Sequence, residues 1–155
     1  MLSLSELAAR EGIRDTISRY TWCGEFMDTA GFADCFTADA VLEIKDGATY
    51  RGREGAVAML TGVRERTREM APPHGAAPAV MRHHVSSIRI ELAGRARARA
   101  FSYFAVFVPP HGHDHWGRYA DELVCEPDGR WRFARRRVSV DGAVAASRMF
   151  PLPKS

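Results

Sequence analysis

Apolar side chains between Ser5 and Glu25 recur three or four residues apart, at Ile13, Ile17, Tyr20, Gly24 and Met27. That spacing predicts one long helix with a single buried stripe. Asp28-Thr29 then breaks the pattern and supplies an N-cap, so a short second helix is expected to carry Phe32 and Phe36 inward. Residues 40–45 alternate as a strand, Asp46-Gly47 has hairpin-turn chemistry, and Thr49-Tyr50-Arg51 continues after it. A further amphipathic helix is predicted over Arg53 to Arg68. Val57, Leu60 and Val63 share one side of it, and Arg64, Arg66 and Arg68 sit in its last turns, where the dipole favours cations. The Pro- and Gly-rich stretch from Ala71 to Pro78 reads as a loop.

From Met81 the period changes from helical to long alternating segments. Strands are predicted over Met81–Leu92, Arg95–Val108, Trp116–Glu126 and Arg130–Val140, with turns at Ala93-Gly94, Pro109–Asp114 and Asp128-Gly129. Helices first and antiparallel strands afterwards give an α+β class, a curved, mostly antiparallel sheet wrapped around the N-terminal helices. Such a sheet forms a cone whose interior can hold a small molecule. Residues 1–141 are read as one domain, and residues 142–155, with Pro151 and Pro153, as a tail that either straps the mouth of the cone or frays.

At 155 residues the chain has the length of a single core. Apolar residues at 46% and charged residues at 26% are globular values, and no apolar run approaches the roughly 18 residues of a bilayer span. The N-terminus lacks a basic region followed by an apolar run, and Cys23, Cys35 and Cys125 form no paired motif, so a cytoplasmic protein without disulfides is expected. Twenty of the 22 basic residues are arginine, and the run Arg130 to Arg137 interleaves cations with Trp131 and Phe133. Because Asp121, Glu122, Glu126 and Asp128 precede that run, cross-strand charge pairing accounts for it better than nucleic-acid binding does.

The candidate chemistry lies in Glu25, at the end of the first helix, and in His83 and His84, which open a strand. A carboxylate and an imidazole brought from separate elements into one apolar cavity form a general acid–base pair. Alternation groups His84 with Ile88, Ile90 and Leu92, the more apolar set, and His83 with Val85, Ser87, Arg89 and Glu91, so periodicity alone turns His84 inward. The sequence His111-Gly112-His113-Asp114-His115 offers alternate nitrogen and oxygen donors, but a Pro/Gly loop gives a metal little rigidity, and a lid over the cone is the preferred reading.

Several strings carry a family resemblance. Ile13-Arg14-Asp15, Tyr20, Glu25, Asp28 and Phe36-Thr37-Ala38-Asp39-Ala40 are followed in order by Tyr50-Arg51-Gly52-Arg53-Glu54-Gly55 and His83-His84-Val85-Ser86-Ser87. Gly117-Arg118-Tyr119, Asp121-Glu122 and Asp128-Gly129-Arg130-Trp131-Arg132-Phe133 complete the series. Over about residues 6 to 141 this resembles the SnoaL-like branch of the nuclear transport factor 2-like superfamily. The resemblance implies the cone fold. It also implies a helix carboxylate paired with a strand histidine, as in scytalone dehydratase, bile acid 7α-dehydratase and lindane dehydrochlorinase, and thereby selects His83 over His84. This chain departs from those enzymes in having glutamate at position 25 where they have aspartate, and Ser87 where an asparagine is often found.

On this basis the chain is expected to be a cofactor-independent dehydratase, isomerase or cyclase acting on a hydrophobic, oxygenated, polyketide-like or polycyclic small molecule of secondary metabolism. Glu25 would orient and stabilise the imidazolium while His83 removes a C–H proton, and Tyr20 would donate to the developing oxyanion or leaving hydroxyl. His84, Phe36, Tyr103, Trp116 and Tyr119 are the expected substrate contacts. No cofactor or metal is expected, nor a nucleic-acid or membrane partner, whereas self-association into a dimer or trimer through the open sheet face is. Two other functions use the same cone: a non-catalytic small-molecule-binding protein and the small subunit of a ring-hydroxylating oxygenase.

Overall fold

Ser3 closes the first turn of the long helix by a capping box. Its hydroxyl accepts the Glu6 backbone N–H at 3.2 Å while its own N–H donates to the Glu6 carboxylate at 2.8 Å. In the computed structural model, which describes residues 1–69, 81–109, 112–147 and 149–150, helix α1 runs Leu4–Phe26 and ends on Met27 in the left-handed conformation. Its buried stripe is Ile13, Thr16, Ile17, Tyr20 and Cys23. Asp28 caps the short α2, Thr29–Asp34, by accepting the Gly31 N–H at 2.9 Å, as the Asp-Thr break predicts. Phe32 is buried on α2, but Phe36 already opens strand β1, Phe36–Ile44, which starts four residues before the predicted Ala40 because Cys35 ends the helix. Strand β2, Thr49–Arg51, leads directly into α3, Gly52–Glu69. The predicted loop from Ala71 to Pro78 lies outside the described residues.

The remaining strands are β3 (Arg82–Leu92), β4 (Arg97–Val108), β5 (Gly112–Cys125) and β6 (Trp131–Ala143). They form a single curved, unclosed sheet in the order β2-β1-β6-β5-β4-β3. All neighbours are antiparallel except β1 and β6. The α+β class and the sheet wrapped around N-terminal helices are as the sequence predicts. The start of β5 and the end of β6 differ from it. β5 begins at Gly112, so His113 and His115 are strand residues rather than a lid, while His111 lies outside the described residues. β6 continues to Ala143 because Gly142 and Ala143 still pair with Trp116 and His115. Beyond it, Val144 donates to the Asp114 carbonyl at 2.8 Å, so the start of the tail is tied down as a strap.

Hydrogen bonds fix α1 across the concave face. Thr16 donates to the Trp131 carbonyl of β6 at 2.6 Å, and Glu25 accepts the backbone N–H of His83 on β3 at 2.6 Å. Between them lies the core of Ile13, Ile17, Phe32, Phe36, Leu42, Leu123 and Phe133. Gly117 permits the closest packing there. A side chain at that position would begin 2.0 Å from the Ser139 carbonyl oxygen and 2.7 Å from the Phe104 ring. Phe104 can therefore lie over β5 and stack on Tyr119, with centroids 4.7 Å apart.

The arginine-rich strand is paired as its neighbouring acids predict. Arg132 bonds Asp34, Glu126 and Asp128, and Arg135 bonds Glu43. Arg136 is fully buried and makes two parallel 2.8 Å bonds to the equally buried Asp121. Its guanidinium lies 4.1 Å from each of the Tyr20, Tyr119 and Phe133 ring centres. Among the described residues no helix is long and apolar enough to cross a membrane.

Candidate active site

A cavity of about 370 Å³ lies between the end of α1, the inner side of α3 and the concave sheet, within the roughly 300–1,000 Å³ of small-molecule sites. Met59, Leu60 and Val63 of α3 face Phe104, Val138 and Val140 of the sheet across it. Into this apolar space project Tyr20 and Glu25 from α1, His83 from β3, and His115 and Tyr119 from β5. Thus the structure brings four of the candidates named from the sequence, Tyr20, Glu25, His83 and Tyr119, to one cavity.

The other expected contacts lie elsewhere. Phe36 is fully buried behind the cavity against Tyr20, Phe32 and Phe133 and does not line it. Tyr103 and Trp116 are 60% and 40% exposed on the convex face, because they alternate with the inward Ser102, Phe104, His115 and Gly117. His84 is exposed there too, its ring 4.9 Å from Phe107.

A β-bulge explains why simple alternation selects the wrong histidine. Ser86 pairs with Tyr103 and Arg89 with Phe101, so three steps along β3 match two along β4. Ser87 absorbs the extra residue at φ 52°, a left-handed conformation that costs a non-glycine residue energy. Before the bulge His83 and Val85 face inward; after it Ile88, Ile90 and Leu92 do. The apolar half of the strand and His83 therefore share one face, although their numbering puts them on opposite ones.

Glu25 is almost enclosed, its side chain 9% exposed. Oε1 accepts the His83 backbone N–H at 2.6 Å and lies 3.7 Å from His83 Nδ1, while Oε2 accepts from Arg82 Nη1 at 3.0 Å. Burial raises the Glu25 pKa, but its contacts with His83 and the Arg82 charge outweigh it and hold the carboxyl below its ordinary range. It is ionised at neutral pH. The 3.7 Å separation is an ion-pair contact, longer than a hydrogen bond. Tyr20 is affected mainly by burial, which raises its pKa despite the opposing Arg136 charge, so its hydroxyl keeps its proton at neutral pH.

A second histidine, His115, lines the same cavity with its own carboxylate behind it, a pairing that sequence reasoning missed. Val106 pairs with His115 and Phe107 with His113, which leaves Asp114 as the extra residue of a bulge in β5. This turns the Asp114 carboxylate, 1% exposed, onto its neighbour: Oδ2 is 2.7 Å from His115 Nδ1 and accepts the Ser147 hydroxyl at 2.9 Å. His113 faces the other way, toward Phe107 and Trp116. Burial lowers the His115 pKa, and the nearby His83 and His113 add to this against the pull of Asp114, so the imidazole is neutral at neutral pH. The available signal was period two, since an inward Tyr119 places Gly117 and His115 on the same face. Among the described residues no group of three or more His, Cys, Asp or Glu side chains is arranged to hold a metal.

Known proteins agree with this architecture. A Mycobacterium tuberculosis protein of unknown function, Rv3472, superimposes with a TM-score of 0.71 at 27% identity, over 88% of this chain and 74% of that one. The hexachlorocyclohexane dehydrochlorinase LinA-type3 of Novosphingobium barchaimii superimposes at 0.74 and 19% identity, covering 96% and 99% of the two chains. A Novosphingobium aromaticivorans protein assigned as a scytalone dehydratase gives 0.74 and 19%, covering 97% of each. At such identities the last two likenesses show the fold. No curated protein matches the chain in sequence. The SnoaL-like domain model matches residues 5–137. With that match spanning nearly all of the helices, sheet and cavity just described, the chain belongs to the SnoaL-like domain family.

Proposed function

We propose that the protein is a cofactor-independent acid–base enzyme of the lyase or isomerase type, a dehydratase, isomerase or cyclase acting on a hydrophobic, oxygenated small molecule of secondary metabolism. The observation that carries this reading is an ionised carboxylate, Glu25, facing the imidazole of His83 at 3.7 Å on the wall of an apolar cavity. Catalytic contacts often tighten only when substrate is bound, so a contact somewhat longer than a hydrogen bond suits the empty site. His83 takes a C–H proton adjacent to a carbonyl, Glu25 stabilises the imidazolium that results, and the protonated Tyr20 hydroxyl donates to the developing enolate oxygen. The dehydrochlorinase and the scytalone dehydratase assignment among the structural neighbours support a lyase-type reaction.

One observation favours a competing reading as a binding protein without chemistry. Both Glu25 oxygens already accept N–H donors, as they would if the residue only buckled α1 to β3. Proton exchange separates the two. The α-protons of 2-tetralone, a small bicyclic ketone, should exchange with deuterium in D2O faster with the protein than in buffer, as followed by NMR. Glu25→Gln and His83→Ala should each cost at least about a hundredfold, while His84→Ala on the convex face should leave the rate unchanged. A full rate in either cavity variant, with the fold intact, would overturn the acid–base reading, and ligand binding without exchange would establish the binding one.

Self-association belongs to the same proposal. Phe101, Tyr103, Phe107 and Trp116 are exposed together on β4 and β5, an apolar patch suited to a second copy of the chain.

A further inference from the structure

His115 is built differently from His83, although the two share one cavity. Its Nδ1 is engaged at 2.7 Å by Asp114, which a bulge, the Ser147 hydroxyl and the Val144 N–H bonded to its carbonyl hold in place. A carboxylate at that distance fixes the tautomer: Nδ1 carries the hydrogen and Nε2 carries a lone pair. The ring lies between Phe104, 6.1 Å away, and Phe150 of the strap, 4.7 Å away, so it has little freedom to turn. Nε2 has no hydrogen-bond partner among the described residues. Nε2 is thus open to the cavity as an acceptor, and a ligand that brings an O–H donor to it gains a hydrogen bond there.

We infer that His115 is the specificity residue of the cavity, an acceptor that selects substrates presenting a hydroxyl group, with Asp114 and Ser147 as its positioning residues. This rests on the cavity being the ligand site of the proposed enzyme and names the class of molecule it takes: an apolar, ring-sized body with one O–H directed at β5. His83 and Glu25, on the α1–β3 side, act on the carbon skeleton; His115, from β5, holds the oxygen. Pockets built to bond a hydroxyl discriminate strongly against analogues that lack it, because the buried partner is then left bare.

The test compares 2-naphthol with 2-methoxynaphthalene, which has nearly the same apolar body and no donor. Calorimetric titration of the full chain at neutral pH should show 2-naphthol binding at least tenfold more tightly, and the ¹⁵N resonance of His115 Nε2 should move toward the hydrogen-bonded range only with 2-naphthol. His115→Phe keeps a ring in place without the acceptor and should erase the preference while retaining affinity for the ether. Asp114→Asn should reduce the preference severalfold, with Ser147→Ala having the smaller effect, and a merely structural role for either would change both affinities together. Equal binding of the two probes, saturable binding of neither, or a preference that survives His115→Phe would overturn the inference. Where the phenylalanine variant does not fold, the wild-type ratio and the Nε2 resonance decide the matter alone. Neither probe needs turnover. Selective binding without α-proton exchange on 6-hydroxy-2-tetralone, which carries the O–H, would therefore defeat the enzymatic reading and leave this one standing.

Discussion

The concave and convex faces of β3 to β6 carry the same residue types and use them in opposite ways. Inside are His83, His115, Tyr119 and Arg136; outside are their near neighbours His84, His113, Tyr103 and Arg135. The inner arginine is fully buried, bonded twice to Asp121 and surrounded by three rings, whereas the outer one reaches Glu43 from a side chain that is half exposed. An inner histidine has a carboxylate to orient it, and the outer ones have aromatic neighbours. Residue type thus says little about role in this protein. The face decides, because the solvent that screens an outer charge is missing from the inner one.

The largest expected effect removes one partner of the inner ion pair. Asp121→Asn should destabilise the protein by about 3–5 kcal/mol, since Arg136 would remain charged and enclosed without a counter-ion. The matching change outside, Glu43→Gln opposite Arg135, should cost less than about 1 kcal/mol. Urea midpoints of the two variants measure the contrast directly, and similar losses would erase the distinction between faces.

A smaller effect is expected from the convex aromatic patch. Tyr103→Asp places a charge in its centre and should weaken self-association at least tenfold, about 1.4 kcal/mol, with cavity chemistry unchanged. Sedimentation velocity over a concentration series reads this. An unaltered assembly would mean that the chain associates by another surface or not at all.

The smallest effect concerns the rim between the faces. The folded-state pKa of Glu25 is depressed below its ordinary 4.5, so the unfolded chain binds the proton more readily. Its contribution is therefore present above pH 4.5 and lost as the pH falls through the lower folded-state value. The stability gap between wild type and Glu25→Gln should be widest near neutrality and close in acid, as a pH series of denaturation midpoints would record. A gap that widens in acid would contradict the ionised, N–H-bonded carboxylate.

Most of the fold was legible because it rests on periodicity and capping. The α1 stripe, the Asp28 cap, the α3 helix and the four long strands follow from repeats of 3.6 and 2, together with turn chemistry. The Tyr20, Glu25 and His83 grouping was legible through family resemblance and not through alternation. What escaped was set by irregularity. Alternation counts residues, and at Ser87 and Asp114 the sheet contains one residue more than its partner strand, so the count fails where the histidines lie. Tyr103 and Trp116 were drawn toward the pocket by their aromatic character alone, although the strand pleat points them outward. The pairing of Asp114 with His115 had no sequence signal of its own, since adjacent strand residues ordinarily face opposite ways.

The Ser87 bulge has a consequence for how this wall could change over time. Loss of that one residue would leave a plain strand with His83 still inward, since Ile88 and Ile90 would then follow it at even spacing; straightening the strand at its present length, with the isoleucines in their seats, would instead bring His84 to the cavity. Shorter forms of this segment, lacking the bulged residue, should then keep the histidine inward on a plain strand. At its present length the strand needs the left-handed residue Ser87 to keep His83 and the isoleucines on one face.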